Sequence, residues 1–369
     1  MQSVRYNPAL DGLRAVAMAL VVADHCWIPG FDAGYFGVDI FFVLSGFLIT
    51  RLLVDELDAR GHIDLMKFYL RRLLRLTPPL VLMLAAYLAV APVIWPQYGL
   101  GSHVRDVALA GLYLSDYGRA FWDAPTALQH TWSLSVEEHF YLIWPVVVLL
   151  LARIQPRWRI LGLFGLYLLV TAWRAYEYES QGWVATYFRA DTRTAGLVCG
   201  ALLALCLPRM DRISENAANA VGVLACAALV VCLSLGFWRA PATLLWMASL
   251  VQIATMGLLI SASVPSSWVS LTLSAPPLVG IGIISYGVYL WHYPVAVFFR
   301  DRLPWYQTAP IVLTIALVAA TASYLTVERP LQRYRHGLRA RRREIDAEPE
   351  TTGAERASLL ASENSLQAT

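Results

Sequence analysis

Residues 9–26 read ALDGLRAVAMALVVADHC. At about 1.5 Å per residue, a stretch of this length approaches the thickness of a bilayer as a helix. It nevertheless carries Arg14 and ends near His25. Ionisable side chains inside a membrane span are costly, and by default they mark function. Eleven helical steps of about 100° come to within roughly 20° of three full turns. Arg14 and His25 therefore project from one helix face, about 16 Å apart along the axis. Asp11, three residues before Arg14, is within reach of an ion pair with it.

The rest of the 369-residue chain shares this apolar character. It is 58% hydrophobic and 15% charged, with a mean hydropathy of +0.53. Soluble domains carry about 25% charged residues, so composition excludes a water-soluble fold. Apolar runs recur at 8–26, 36–54, 73–95, 132–152, 158–173, 190–207, 217–236, 241–262, 276–299 and 308–327. The expected fold is all-α, a polytopic membrane protein of about ten spans. Segment 105–118 is apolar but short, and reads as interfacial or re-entrant. The first span has no small-residue cleavage site and reads as a retained helix. Five scattered cysteines sit at no metal-ligand spacing and read as packing residues. Neither a metal nor a tightly bound cofactor is expected, and no nucleic-acid partner.

Charge orients the spans. With both termini cytoplasmic, twenty of the 29 basic residues fall on inner segments and eight on outer ones. That bias follows the positive-inside rule and favours an even number of spans. Residues 1–334 then form one transmembrane unit. The polar tail 335–369 cannot bury a core and reads as disordered in the cytoplasm.

Orientation gives depth to the remaining polar residues. GYFGVDIFFVLSGFLIT (34–50) begins outside, which puts Asp39 in the outer part of the second span and Ser45 near mid-depth. HTWSLSVEEHFYLIWP (130–145) puts Glu137 and Glu138 in an outer half, ISYGVYLWHYPV (284–295) lifts His292 outward, and Arg193 lies at an outer mouth. His25, Asp39, Glu137 and His292 are expected to line one outward cavity. On the inner side, FYLRRLLRLTPPL (68–80) groups Arg71, Arg72 and Arg75 at the expected start of the third span. Clustered guanidiniums suit phosphates, and helix N-terminal amides would add to them. Histidine is the common general base near neutral pH, and a nearby carboxylate orients its ring.

Taken in order, these blocks resemble the membrane acyltransferase-3 family, which includes O-antigen, peptidoglycan and macrolide acyltransferases. The similar stretches are residues 9–26, 34–50, 68–80, 131–145, TRTAGLVCGALLA (192–204), 284–295 and VERPLQRY (327–334). His139 departs from the family pattern, which has Gln there. The resemblance implies an acyl-CoA co-substrate, acetyl-CoA by default, and a hydroxyl acceptor, often a sugar. It puts Arg14 and His25 on the family's essential pair, Arg71, Arg72 and Arg75 on its CoA-phosphate motif, and Glu137 on its acidic position. Asp11, Asp39, Ser45, Arg193 and His292 are candidate cavity-lining residues. Glu137, or else Asp39 or Asp24, is expected to orient His25. Two other readings stay open. One is acylation of a macrolide or other secondary metabolite. The other is export of a sugar- or lipid-linked anion, which a two-mouthed polar route also suits.

Overall fold

The computed structural model of the chain describes residues 6–207 and 213–331. The tail expected over 335–369 lies outside the described residues. Those residues form helices joined by short loops, with no strand among them. The helices are α1 Pro8–His25, α2 Gly37–Arg60, α3 Leu65–Ile94, α4 Gly99–Gly111, α5 Ser115–Phe121, α6 Trp132–Ala152, α7 Pro156–Phe188 and α8 Ala190–Arg193. They continue with α9 Ala195–Cys206, α10 Glu215–Leu235, α11 Ala248–Ala262, α12 Trp268–Leu273, α13 Pro276–Ile283, α14 Ser285–Arg300 and α15 Trp305–Ser323.

Each of the ten predicted spans falls on helix, but the helices are not alike. Six are long and apolar enough to cross a membrane, seven if α13 and α14 count as one span bent by 71°. Helix α1 fails that test because it carries Asp11, Arg14 and Asp24. Helix α9 has only 12 residues. Segment 105–118 divides between α4 and α5, both too short to span.

Helix α1 begins under an Asn7 cap, with Pro8 at its first position, where a missing N–H costs nothing. It is central, packed against α2, α13 and α14. Two of the closest crossings rest on glycine. A Cβ at Gly46 of α2 would come within 1.9 Å of the Leu197 carbonyl of α9, and one at Gly282 of α13 within 1.9 Å of the Asp11 carbonyl. Small residues let helices approach this closely inside a membrane, where packing replaces the hydrophobic effect.

Helix α3 begins at Leu65, well before the expected start. The Asp64 carboxylate accepts from the Lys67 amide at 2.9 Å and caps it there. Arg71, Arg72 and Arg75 therefore sit two to three turns inside the helix. The expected grouping at the helix start is not seen, because all three arginines lie beyond the first turn, whose Lys67 amide is already bonded to Asp64.

Candidate active site

The arginines open onto a cavity of about 610 Å³. It follows α2 from Arg60 to Val38, about 33 Å of helix. Arg14, Arg71, Arg72 and Arg75 line it, as do Val38, Phe41, Ser133 and Tyr289. A second cavity of about 400 Å³ shares the same four arginines and adds Asp11 and Glu328. Arg14 pairs with Asp11 at 2.6 Å, as the three-residue spacing predicts. Arg72 donates to Glu138 at 3.1 Å and lies over the Tyr141 ring at 2.9 Å from its centroid. Arg71 lies 3.9 Å from Glu56 on α2. Long cationic side chains thus converge on one space from α1 and α3.

Glu137, expected near His25, belongs to this cavity instead, and Ser45 lines it as expected. Glu137 accepts from Ser45 at 2.7 Å, and both line the cavity wall. Glu137 makes no contact with His25. Arg14 and His25 start from one face of α1, but only Arg14 lines a described cavity. The expected common lumen is not formed by either of these two cavities, since neither is lined by His25.

His25 belongs to a second, aromatic cluster. Its Nδ1 lies 2.9 Å from Nε2 of His292 on α14. The other ring nitrogen of His292 is committed. Its Nδ1 lies 2.7 Å from the Tyr289 carbonyl and 3.2 Å from the Val288 carbonyl. Carbonyl oxygens only accept, so the proton of neutral His292 sits on Nδ1. Nε2 of His292 must then accept from Nδ1–H of His25, which leaves a lone pair on Nε2 of His25. Such a fixed tautomer is what a general base needs. The nearest carboxylate is Asp24, with Oδ2 at 3.9 Å from Nε2 of His25. Rings of Tyr293 and His130 complete the cluster. Tyr293 meets His25 edge-on at 4.7 Å, and His130 stacks on Tyr293 at 4.9 Å.

One residue joins the two spaces. Tyr289 lines the cavity, and its carbonyl holds His292. Its hydroxyl lies 2.5 Å from Ser133 Oγ and donates to the His130 carbonyl at 2.7 Å. Tyr289 and Ser133 thus link the arginine-lined cavity to His130 and His292.

Asp39 and Arg193, expected to line a cavity, do neither of the things that expectation requires. They form an ion pair at 2.7 Å with no exposed side-chain surface, and Gln252 donates to the same carboxylate at 3.2 Å. Arg193 also lies over the Tyr187 ring at 4.7 Å. A charge this deep survives only when it is paired, and the pair ties α2 to α8 and α11. His139 pairs with the buried Asp116 at 3.3 Å. Sequence reasoning passed over Tyr289, Ser133, His130 and Tyr293, although all lie inside the quoted blocks. Their polar atoms gave no signal because each is interleaved with membrane-type aromatics.

Residues 7–328 match the family described as the acyltransferase domain, and the chain belongs to the acyltransferase-3 family. It is a multi-pass membrane protein of that class. Among its relatives is the peptidoglycan O-acetyltransferase OatA of Listeria monocytogenes, 31% identical over 353 residues, covering 90% of this chain and 56% of the relative. Another is the O-acetyltransferase OatA of Staphylococcus aureus, 33% identical over 356 residues, covering 90% and 58%. The chain thus spans a little over half the length of these relatives. No solved structure matches it.

Proposed function

We propose that this protein is an O-acyltransferase of the bacterial inner or plasma membrane. It takes an acyl group, acetyl in the simplest case, from cytoplasmic acyl-CoA and passes it to a hydroxyl of a cell-envelope glycan. The observation that carries the reading is the hydrogen-bond chain from the Tyr289 carbonyl through His292 to His25, which leaves Nε2 of His25 free to take a proton. The arginine-lined cavity supports the donor side. The named activity of the relatives supports the acceptor class. Ten spans with both termini cytoplasmic fit the basic residues, twenty of which fall on segments that this arrangement places inside.

In this reading Arg71, Arg72 and Arg75 hold the CoA phosphates, and Arg14 supports the donor beside them. The pantetheine arm follows α2 past Ser45 and Glu137 towards Tyr289. Nε2 of His25 removes the proton from the acceptor hydroxyl. The oxygen attacks the thioester carbonyl, and the C–S bond breaks. The CoA thiolate then takes the proton from the imidazolium.

The test is acyl transfer from labelled acetyl-CoA to soluble peptidoglycan by purified protein in nanodiscs. His25→Ala is expected to lower kcat by about 10²–10⁴-fold, the range set by removing a general base. Transfer at the wild-type rate by that variant overturns the assignment.

A further inference from the structure

Helix α1 ends in an unusual way. The Ile28 amide donates to the Ala23 carbonyl and the Trp27 amide to the Asp24 carbonyl, both at 3.0 Å. That is the Schellman arrangement, whose residue after the cap takes a left-handed conformation and is usually glycine. Here the residue is Trp27, with φ of 55°. A bulky side chain at a positive φ is strained, and such strain persists where something else holds or uses the residue.

The Trp27 ring is 55% exposed, two residues beyond His25. The Arg300 guanidinium, at the last residue of α14, lies over it at 5.0 Å from the ring centroid. The same guanidinium is 5.7 Å from Tyr293, and Tyr293 is 4.7 Å from His25. Nε of Arg300 is buried without a hydrogen-bond partner. The His25 side chain keeps 21% of its surface exposed, although it lines neither of the described cavities. Trp27, Arg300, Tyr293 and the candidate base His25 thus form one chain of contacts.

We infer that Trp27 and Arg300 form the acceptor subsite. A pyranose ring lays its C–H face on the Trp27 indole, Arg300 donates to its ring substituents, and one hydroxyl reaches Nε2 of His25. Aromatic faces suit sugar C–H faces, and a guanidinium fork suits oxygen acceptors. This inference rests on the acyltransferase reading above and names where its acceptor sits. The acceptor would then approach outside the two arginine-lined cavities, which neither Trp27 nor Arg300 lines. A membrane-interface anchor is the competing role for an exposed tryptophan, and it requires neither Arg300 nor the left-handed backbone.

The experiment is direct binding, with no acyl donor present, of a soluble peptidoglycan fragment to the full chain in nanodiscs. Trp27→Gly is the informative variant. It removes the indole and relieves the backbone, so the melting temperature is expected to hold or rise. Binding is expected to weaken about tenfold or more, and Trp27→Phe is expected to recover most of it. Trp158→Ala, an indole of similar exposure at 54% near the start of α7, is expected to bind as wild type. Unchanged affinity in Trp27→Gly, an equal loss in Trp158→Ala, or no binding by the wild type overturns the subsite. Because no donor is present, a failure of acetyl-CoA to support transfer would strike the donor reading and leave this result standing.

Discussion

The arginine-lined cavity is wide and walled by long, flexible cations, whereas the imidazole cluster beyond Tyr289 is tight, aromatic and pinned to backbone carbonyls. Both draw on α1, through Arg14 and His25. In the proposed function the difference separates two tasks. Guanidiniums on long stems adapt to a large anion, and each contributes independently. A base works only in one tautomer and one orientation, so its support has to be rigid. The chain meets the second need with two carbonyls of α14 that direct His292, and through it His25.

That contrast can be broken by variants, and the largest expected effect falls on neither region. Asp39→Ala would leave Arg193 charged and unpaired in the interior, at a cost of about 3–5 kcal/mol. Thermal unfolding should show a large fall in stability. An Asp39→Ala protein as stable as wild type but without transfer activity would return Asp39 to the site.

Next in size is His292. Removing a group that orients another typically costs about 10–100-fold. His292→Leu should lower kcat by that amount with little change in donor KM. His292→Gln, whose carbonyl can still accept from Nδ1 of His25, should recover part of the loss. Equal losses in the two variants would mean that His292 is packing alone.

The arginines should behave in the opposite sense. Arg71→Ala or Arg75→Ala should raise donor KM about tenfold and leave kcat within a few-fold, with an effect that shrinks as salt rises. The smallest effect is expected for Glu137→Gln. It keeps the side chain's size and an oxygen that accepts from Ser45, so kcat should fall by less than about threefold. A loss approaching that of His25→Ala would restore Glu137 to the chemistry.

Much of this was legible in the sequence, for identifiable reasons. Helical periodicity and apolar runs located the helices because a bilayer demands length and hydrophobicity together. The Asp11–Arg14 pair followed from spacing within one helix. The start of α3 was missed because Met66, Lys67 and the arginines mask a helix that Asp64 caps eight residues earlier than the apolar run begins. The partners of His25, Glu137 and Asp39 were misassigned for a different reason. Depth in the membrane can be read from topology, but which neighbour a side chain meets at that depth depends on helix rotation and crossing. Asp39 was expected beside His25, yet α2 turns it towards Arg193. Tyr289 was overlooked because its role is shared between a side chain and a carbonyl, and sequence reports only the first.

The central claim is that donor binding and proton transfer are built in separate spaces on either side of Tyr289. Calorimetric titration of CoA into nanodisc-embedded wild type, His25→Ala and the Arg71→Ala/Arg75→Ala double variant tests it most directly. The account predicts that His25→Ala binds CoA with wild-type affinity while the double arginine variant binds at least about tenfold more weakly. CoA affinity that falls with His25→Ala and survives loss of the two arginines would contradict it.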